Sequence, residues 1–276
     1  MDNIEKEIHS TLKISSYKTL KEEGFYKKIS PLSNFHLEYR NQYLQLTAYH
    51  KLFFAYKKLE NLKKEISSEN NSKTEEEKKK LEVTVITEKI DTINSFISNI
   101  FSVCDILSNQ IYIVLADSLK GIFKVSLHKI ANKEEFGKFE KNINLERFNK
   151  YFSKILEPIN SEKSWYSELK YYRNQISHGM LMFTKDLLFG NAKLLKRNIY
   201  KNPEKFEKLV RNEPVHNKKP TKEEKVELDK MFNDDTIFEQ FTKYFNNVKK
   251  LASNVWEKIH EIYINAGVQV DWKLDL

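Results

Sequence analysis

An all-α fold, an antiparallel bundle of long helices with shorter helices between them, is what this sequence predicts, and three observations predict it. Glycine and proline number only six and five in 276 residues, too few for the many turns of a β-sandwich or barrel. The glycines stand alone, at Gly24, Gly121, Gly137, Gly179, Gly190 and Gly267. A P-loop or a dinucleotide-binding turn needs them clustered where backbone approaches phosphate, so both are excluded. Apolar residues recur at steps of three and four over long stretches, which is the period of a helix with one buried face.

Taken in order, residues 1–34 read as an N-terminal arm, with a short helix and an irregular stretch reaching Pro31, and residues 35–276 as the bundle. From Phe35 to Glu65 the spacing predicts a long helix with Tyr39, Leu46, Tyr49, Phe53 and Tyr56 as its stripe. Ser67 to Lys80 has no apolar residue and reads as a solvated hinge or a frayed junction. A second long helix follows from Leu81 to Asp117, its core stripe being Ile93, Ile97, Ile100, Cys104, Leu107, Ile111 and Val114. Shorter helices are expected over Ile122–Ile130 and Leu145–Leu156, the second stopped near Pro158. The stretch from Ser161 to Gly179 opens on a capping-type serine and closes on glycine. Residues 198–235 carry three prolines and many lysines and read as an irregular basic insertion. The last helix, Thr236 to Ala266, has Phe238, Phe241, Phe245, Val248, Leu251, Val255, Ile259 and Ile262 on one broad face. No internal repeat of fixed period is visible.

The net charge of +8 and the pI near 9.1 suit a polyanionic partner. Only five of the 47 basic residues are arginine: Arg40, Arg147, Arg173, Arg197 and Arg211. The single cysteine, Cys104, leaves no internal disulfide and no multi-cysteine zinc site, and a reducing cytoplasm is the expected compartment. It falls on a core stripe and reads as a small hydrophobe. No metal cluster and no cofactor are expected, and His36, His50, His128 and His260 read as surface residues. The first thirteen residues are charged and lack the apolar core of a secretory signal. The most apolar run, Ile97 to Leu115, is broken by Asn99, Asp105, Asn109 and Gln110, so a buried helix is expected there and not a membrane span.

The chemistry concentrates between Trp165 and Phe183. At about 100° per residue, Trp165, Leu169, Tyr172, Ile176, Met180 and Phe183 share one stripe, the expected core face. Asn174 and His178 lie one turn apart on nearly the opposite face. Arg173 falls at the edge of the stripe, from where a long side chain reaches to either side. Asn174, four residues before His178, is placed to hydrogen-bond the imidazole and fix its tautomer. Arg173 offers a permanent cation with forked donors for phosphate oxygens.

The run Arg173-Asn174-Gln175-Ile176-Ser177-His178 resembles the signature of the HEPN superfamily, an arginine and a histidine separated by four to six residues, with a polar residue directly after the arginine. The resemblance extends to the preceding Trp165, Glu168, Tyr171 and Tyr172 and to the helical bundle itself. It covers about half the chain, from the Ile97–Leu115 helix to His178, with the last helix completing the bundle. A second match, Arg211 to His216, contains Pro214 and lies in the lysine-rich insertion. Catalytic groups need a packed, rigid element, so Arg173 and His178 are taken as the site.

The resemblance implies a metal-independent endoribonuclease of the kind found among toxins and phage-defence effectors. It further implies a homodimer in which two motifs line one composite cleft, and an antitoxin or regulatory partner fits the same class. The implied reaction is transesterification within RNA, leaving a 2′,3′-cyclic phosphate and a 5′-hydroxyl. His178 would serve as general base or acid and Arg173 would stabilise the phosphoryl charge, with Asn174 as the third catalytic residue. Tyr171, three residues before Asn174, is a candidate to stack a base, or else a tyrosine at the rim of the core. Asp105 is a candidate second-shell partner of the motif, or else a carboxylate at an exposed helix edge or one paired with a lysine. The alternative function is a non-catalytic bundle of the same type that binds RNA, a nucleotide or a protein partner.

Overall fold

The computed structural model describes residues 32–68, 75–116, 125–132, 143–161, 163–177, 192–198, 204 and 221–266. Three long helices dominate: α1 (Leu32–Ser68), α2 (Glu75–Ala116) and α8 (Ile237–Asn265). Between α2 and α8 come α3 (Leu127–Ala131), α4 (Leu145–Tyr151), α5 (Ser153–Leu156) with a 3-10 turn over Glu157–Ile159, then α6 (Trp165–Ser177) and α7 (Lys222–Asp229). The described residues contain no strand, and a single antiparallel bridge joins Leu195 to Phe232. The all-α bundle expected from the sequence is the fold.

Side-chain pairs set the directions of the long helices. Gln110 near the end of α2 bonds Asn41 near the start of α1 (3.0 Å), while Asp91 of α2 meets Lys58 further along α1 (3.6 Å). The two helices are therefore antiparallel. Asn41 reaches Tyr263 (2.7 Å) and Tyr56 lies against Phe245, so α8 is also antiparallel to α1. Phe96 stacks on Phe241 at 4.4 Å and Gln110 takes the indole N–H of Trp256 (3.0 Å), so α2 and α8 run in the same direction. One parallel pair is unavoidable when three helices pack together.

All seven residues of the expected α2 stripe are buried. Between Glu88 and Ala116 this helix is long and apolar enough to cross a membrane, yet 72% of its most apolar stretch is covered by the protein itself, as in a core helix. The stripe expected for α1 is corrected. Of its described members only Tyr49 is buried; Leu46, Phe53 and Tyr56 are at the rim. The buried face runs instead through Leu44, Ala48, Leu52, Ala55, Leu59 and Leu62. Two alanines at the contact let the axes approach, and the larger rings are displaced outward. On α8, Phe241, Val248, Leu251, Val255, Ile259 and Ile262 are buried as expected, Phe238 and Phe245 are partly so, and Tyr244 and Trp256 join the core.

Local signals set the ends. Thr236 caps α8 in a capping box with Glu239, and the backbone and side chain of Thr236 hold the Glu239 carboxyl below its usual range. Asn144 caps α4 by accepting from the Arg147 amide (2.8 Å). The serine that caps α6 is Ser164 and not Ser161, since its hydroxyl accepts from the Ser167 amide (3.2 Å). Two further expectations change. The second long helix begins at Glu75, inside the stretch read as a hinge. The insertion expected at 198–235 contains α7 and ends on Met231 and Phe232, both buried. His50, His128 and His260 are partly buried, and the side chain of His36 lies outside the described residues.

Candidate functional site

α6 lies across α2 and the first turns of α8. Tyr166, Leu169 and Tyr172 form its buried face, Trp165 and Ile176 flank that face, and Tyr166 stacks on Phe101 of α2 (5.9 Å). The core face is thus turned slightly from the expected stripe, with Tyr166 in place of Trp165 at its centre. Met180, Phe183 and Gly179 lie outside the described residues, as do His178, Arg211 and His216.

A polar junction holds α6 in register with its neighbours. Gln240 of α8 donates to the Glu168 carboxylate (3.2 Å) and to the Tyr244 hydroxyl (2.8 Å). Asn233 donates to the Tyr172 hydroxyl (2.7 Å), which in turn donates to the Leu195 carbonyl (3.1 Å). Burial and the Glu168 carboxylate push the Tyr244 hydroxyl well above its usual range, so it stays protonated. These bonds bring α6, the start of α8 and the 192–198 segment together.

Arg173 sits on the last turns of α6 with its side chain exposed. Its guanidinium lies 5.4 Å from the centre of the Phe101 ring and donates to the Asn174 side-chain oxygen (3.3 Å). Asp105, one turn after Phe101 on α2, faces the same group. Burial raises its carboxyl above the usual carboxylate range, against the opposing pull of Arg173 and Lys170. Of the residues singled out in the sequence, Arg173, Asn174 and Asp105 therefore come together at the α2–α6 crossing.

Tyr171 goes elsewhere. It packs at the rim of the core, and the Arg197 guanidinium lies 5.7 Å from its ring centre while donating to the Ser167 hydroxyl (2.7 Å). Burial raises the Tyr171 hydroxyl, with Arg197 pulling the other way. One approach to the ring is thus taken by a cation of this chain. Ser167, Tyr171 and Asn174 share a face of α6, so Arg197 clasps the same side of the helix that carries Asn174. Sequence reasoning missed Lys170, Phe101 and Arg197. The signal for Arg197 was its rarity, as one of five arginines in the chain.

No protein-family model, curated protein or solved structure matches the chain. The chemistry of the cluster has to speak for itself. A guanidinium backed by an aromatic face and an amide oxygen, open to solvent, is prepared for an oxyanion. A half-buried carboxyl, Asp105, is coupled electrostatically to that cation and to Lys170. With its oxygen engaged by Arg173, the Asn174 amide keeps two N–H donors for another partner.

Cys104, next to Asp105, is fully buried. Burial and the Asp105 charge push its thiol far above the usual range, so it is inert as a nucleophile.

Proposed function

We propose that the chain is a HEPN-type endoribonuclease that cleaves RNA by 2′-hydroxyl attack, with Arg173, Asn174 and His178 as its catalytic residues. The observation that carries this reading is the set of Arg173, Asn174 and Asp105 at the α2–α6 crossing, an exposed cation held on Phe101 and bonded to the side chain beside it. A catalytic group needs a packed support, and α6 supplies it through Tyr166, Leu169 and Tyr172.

In this reading His178 removes the proton from a ribose 2′-hydroxyl. The resulting oxygen attacks the adjacent phosphorus, a 2′,3′-cyclic phosphate forms, and the 5′-oxygen leaves with a proton. The Asn174 side-chain oxygen, which has a second lone pair beside the one that Arg173 uses, accepts the imidazole N–H and holds the tautomer whose other nitrogen is free to take that proton. Arg173 stabilises the charge that builds on the non-bridging oxygens. The imidazole of a second copy across a two-fold supplies the proton to the leaving oxygen, which makes the homodimer the working unit.

The test is cleavage of total RNA in EDTA by the full chain and by its Arg173→Ala and His178→Ala forms. The wild type is expected to cleave and leave cyclic phosphate ends, and each variant to lose roughly 100-fold or more. Wild-type activity in His178→Ala sinks the reading. Binding without cleavage by all three forms would make the chain a non-catalytic RNA-binding bundle.

A further inference from the structure

The rings that the core of α1 leaves outside form a surface of their own. Tyr43, Thr47, His50, Phe54 and Lys57 share the face of α1 opposite Ala48, Leu52, Ala55 and Leu59. Tyr43 is 53% exposed and Phe54 55%, although large rings gain much from burial. Phe53 lies edge-on to Phe54 at 6.0 Å. Cations sit over these rings: the Arg40 guanidinium 5.7 Å from the centre of Tyr43, and the Lys57 ammonium 5.3 Å from that of Phe53. From residue 40 to residue 63 the helix carries Arg40, Lys51, Lys57, Lys58 and Lys63 against one carboxylate, Glu60, which accepts the Tyr56 hydroxyl (2.8 Å).

We propose that this face of α1 binds single-stranded RNA, with bases stacked on Tyr43 and Phe54 and the phosphates drawn to Arg40, Lys51 and Lys57. The choice of RNA rests on the nuclease reading above; the surface adds a second contact on a different helix from Arg173. Tyr43 and Phe54 are eleven residues apart, about 16 Å along the axis at 1.5 Å per residue. A strand lying along the helix would reach both. Aromatic faces interleaved with cations are what sequence-tolerant binding of a single strand requires. Self-association is disfavoured by the same charges. A two-fold contact through this face would set the cations of each copy against those of the other, with no carboxylate on that face between residues 40 and 63 to answer them. Tyr171, the aromatic expected to stack a base, packs against the core, whereas Tyr43 and Phe54 are more than half exposed, so the accessible rings are those of α1.

Fluorescence anisotropy of the full chain with a labelled, single-stranded 2′-O-methyl oligouridine tests this, because that probe binds but cannot be cleaved by 2′-hydroxyl attack. The Tyr43→Ala/Phe54→Ala chain is expected to bind about 10-fold or more weakly, with its salt dependence unchanged. Lys51→Gln/Lys57→Gln is expected to lower the slope of log K against log salt by about 1 to 2. Unchanged affinity in the aromatic variant, with wild-type circular dichroism, overturns the proposal. So does a fall in sedimentation mass in that variant, which would make the face a contact between copies. Normal cleavage alongside unchanged binding refutes only the surface. Weakened binding by the aromatic variant of a chain that never cleaves refutes only the nuclease.

Discussion

Asp105 sits where burial and two cations pull in opposite directions, and burial wins, leaving its carboxyl above the usual range. The folded chain then holds a proton that the unfolded chain has already released. Between the ordinary carboxylate value and the raised one, the folded state binds more protons, so stability falls as pH rises through that window. Asp105→Asn is expected to be more stable than wild type above the window and to flatten the slope within it, as read in urea titrations from the acid range to neutrality. A less stable Asn variant at neutral pH would mean that Arg173 and Lys170 outweigh the burial. At this scale the sequence was informative wherever one residue broke its context. Asp105 stands out as the one carboxylate in the Ile97–Leu115 run, and Arg173 as an arginine on a patterned helix. Lys170 has no such contrast, and the rarity of Arg197 marks it without saying what it meets. Their relation to the site depends on how α6 turns on α2 and on where the 192–198 segment crosses it, and neither follows from local spacing.

Among the elements, α1 and α2 show why one stripe was readable and the other was not. The α2 stripe is made of branched aliphatics at strict helical steps, and no other register would bury as many of them. On α1 the aromatic residues have helical spacing too, but the face that packs is lined by small residues, with Ala48 and Ala55 fully buried. Side-chain size therefore pointed to the rim, while closeness of approach decided the interface. Ala55→Leu is expected to cost about 1–3 kcal/mol by overpacking, seen as a lower urea midpoint with an unchanged denaturant slope. A neutral result would place a void beside Ala55. The cap of α6 carries a related lesson: two serines three residues apart looked alike in sequence, and the one that caps is the one whose hydroxyl also donates to the Ile159 carbonyl (3.1 Å).

The whole molecule is tied across its three long helices by buried polar groups as well as by apolar contact. Gln110 of α2 donates to the Asn41 carbonyl of α1 and accepts from Trp256 of α8, bridging positions 146 residues apart at its second bond. Gln110→Leu leaves the Trp256 N–H buried without its acceptor, which is expected to cost about 1–3 kcal/mol. Adding Trp256→Phe to that chain should recover part of the loss in a double-mutant cycle; strictly additive single effects would show that the bond contributes nothing. The number and order of long helices were legible from periodicity. Which residues meet across them was not, because a buried glutamine looks in sequence like any polar interruption. The bridge between Leu195 and Phe232 has a consequence at the same scale. Lys196 bonds Met231, Asn233 bonds Leu194 and Ile237 bonds Ala192, all at 2.7–2.9 Å, so main-chain bonds close the two ends of the stretch between them against each other. The cost of closing such a stretch grows only with the logarithm of its length. A change in the number of residues between Lys196 and Met231 is therefore expected to cost the fold little, because the closing bonds are made by the residues at its ends.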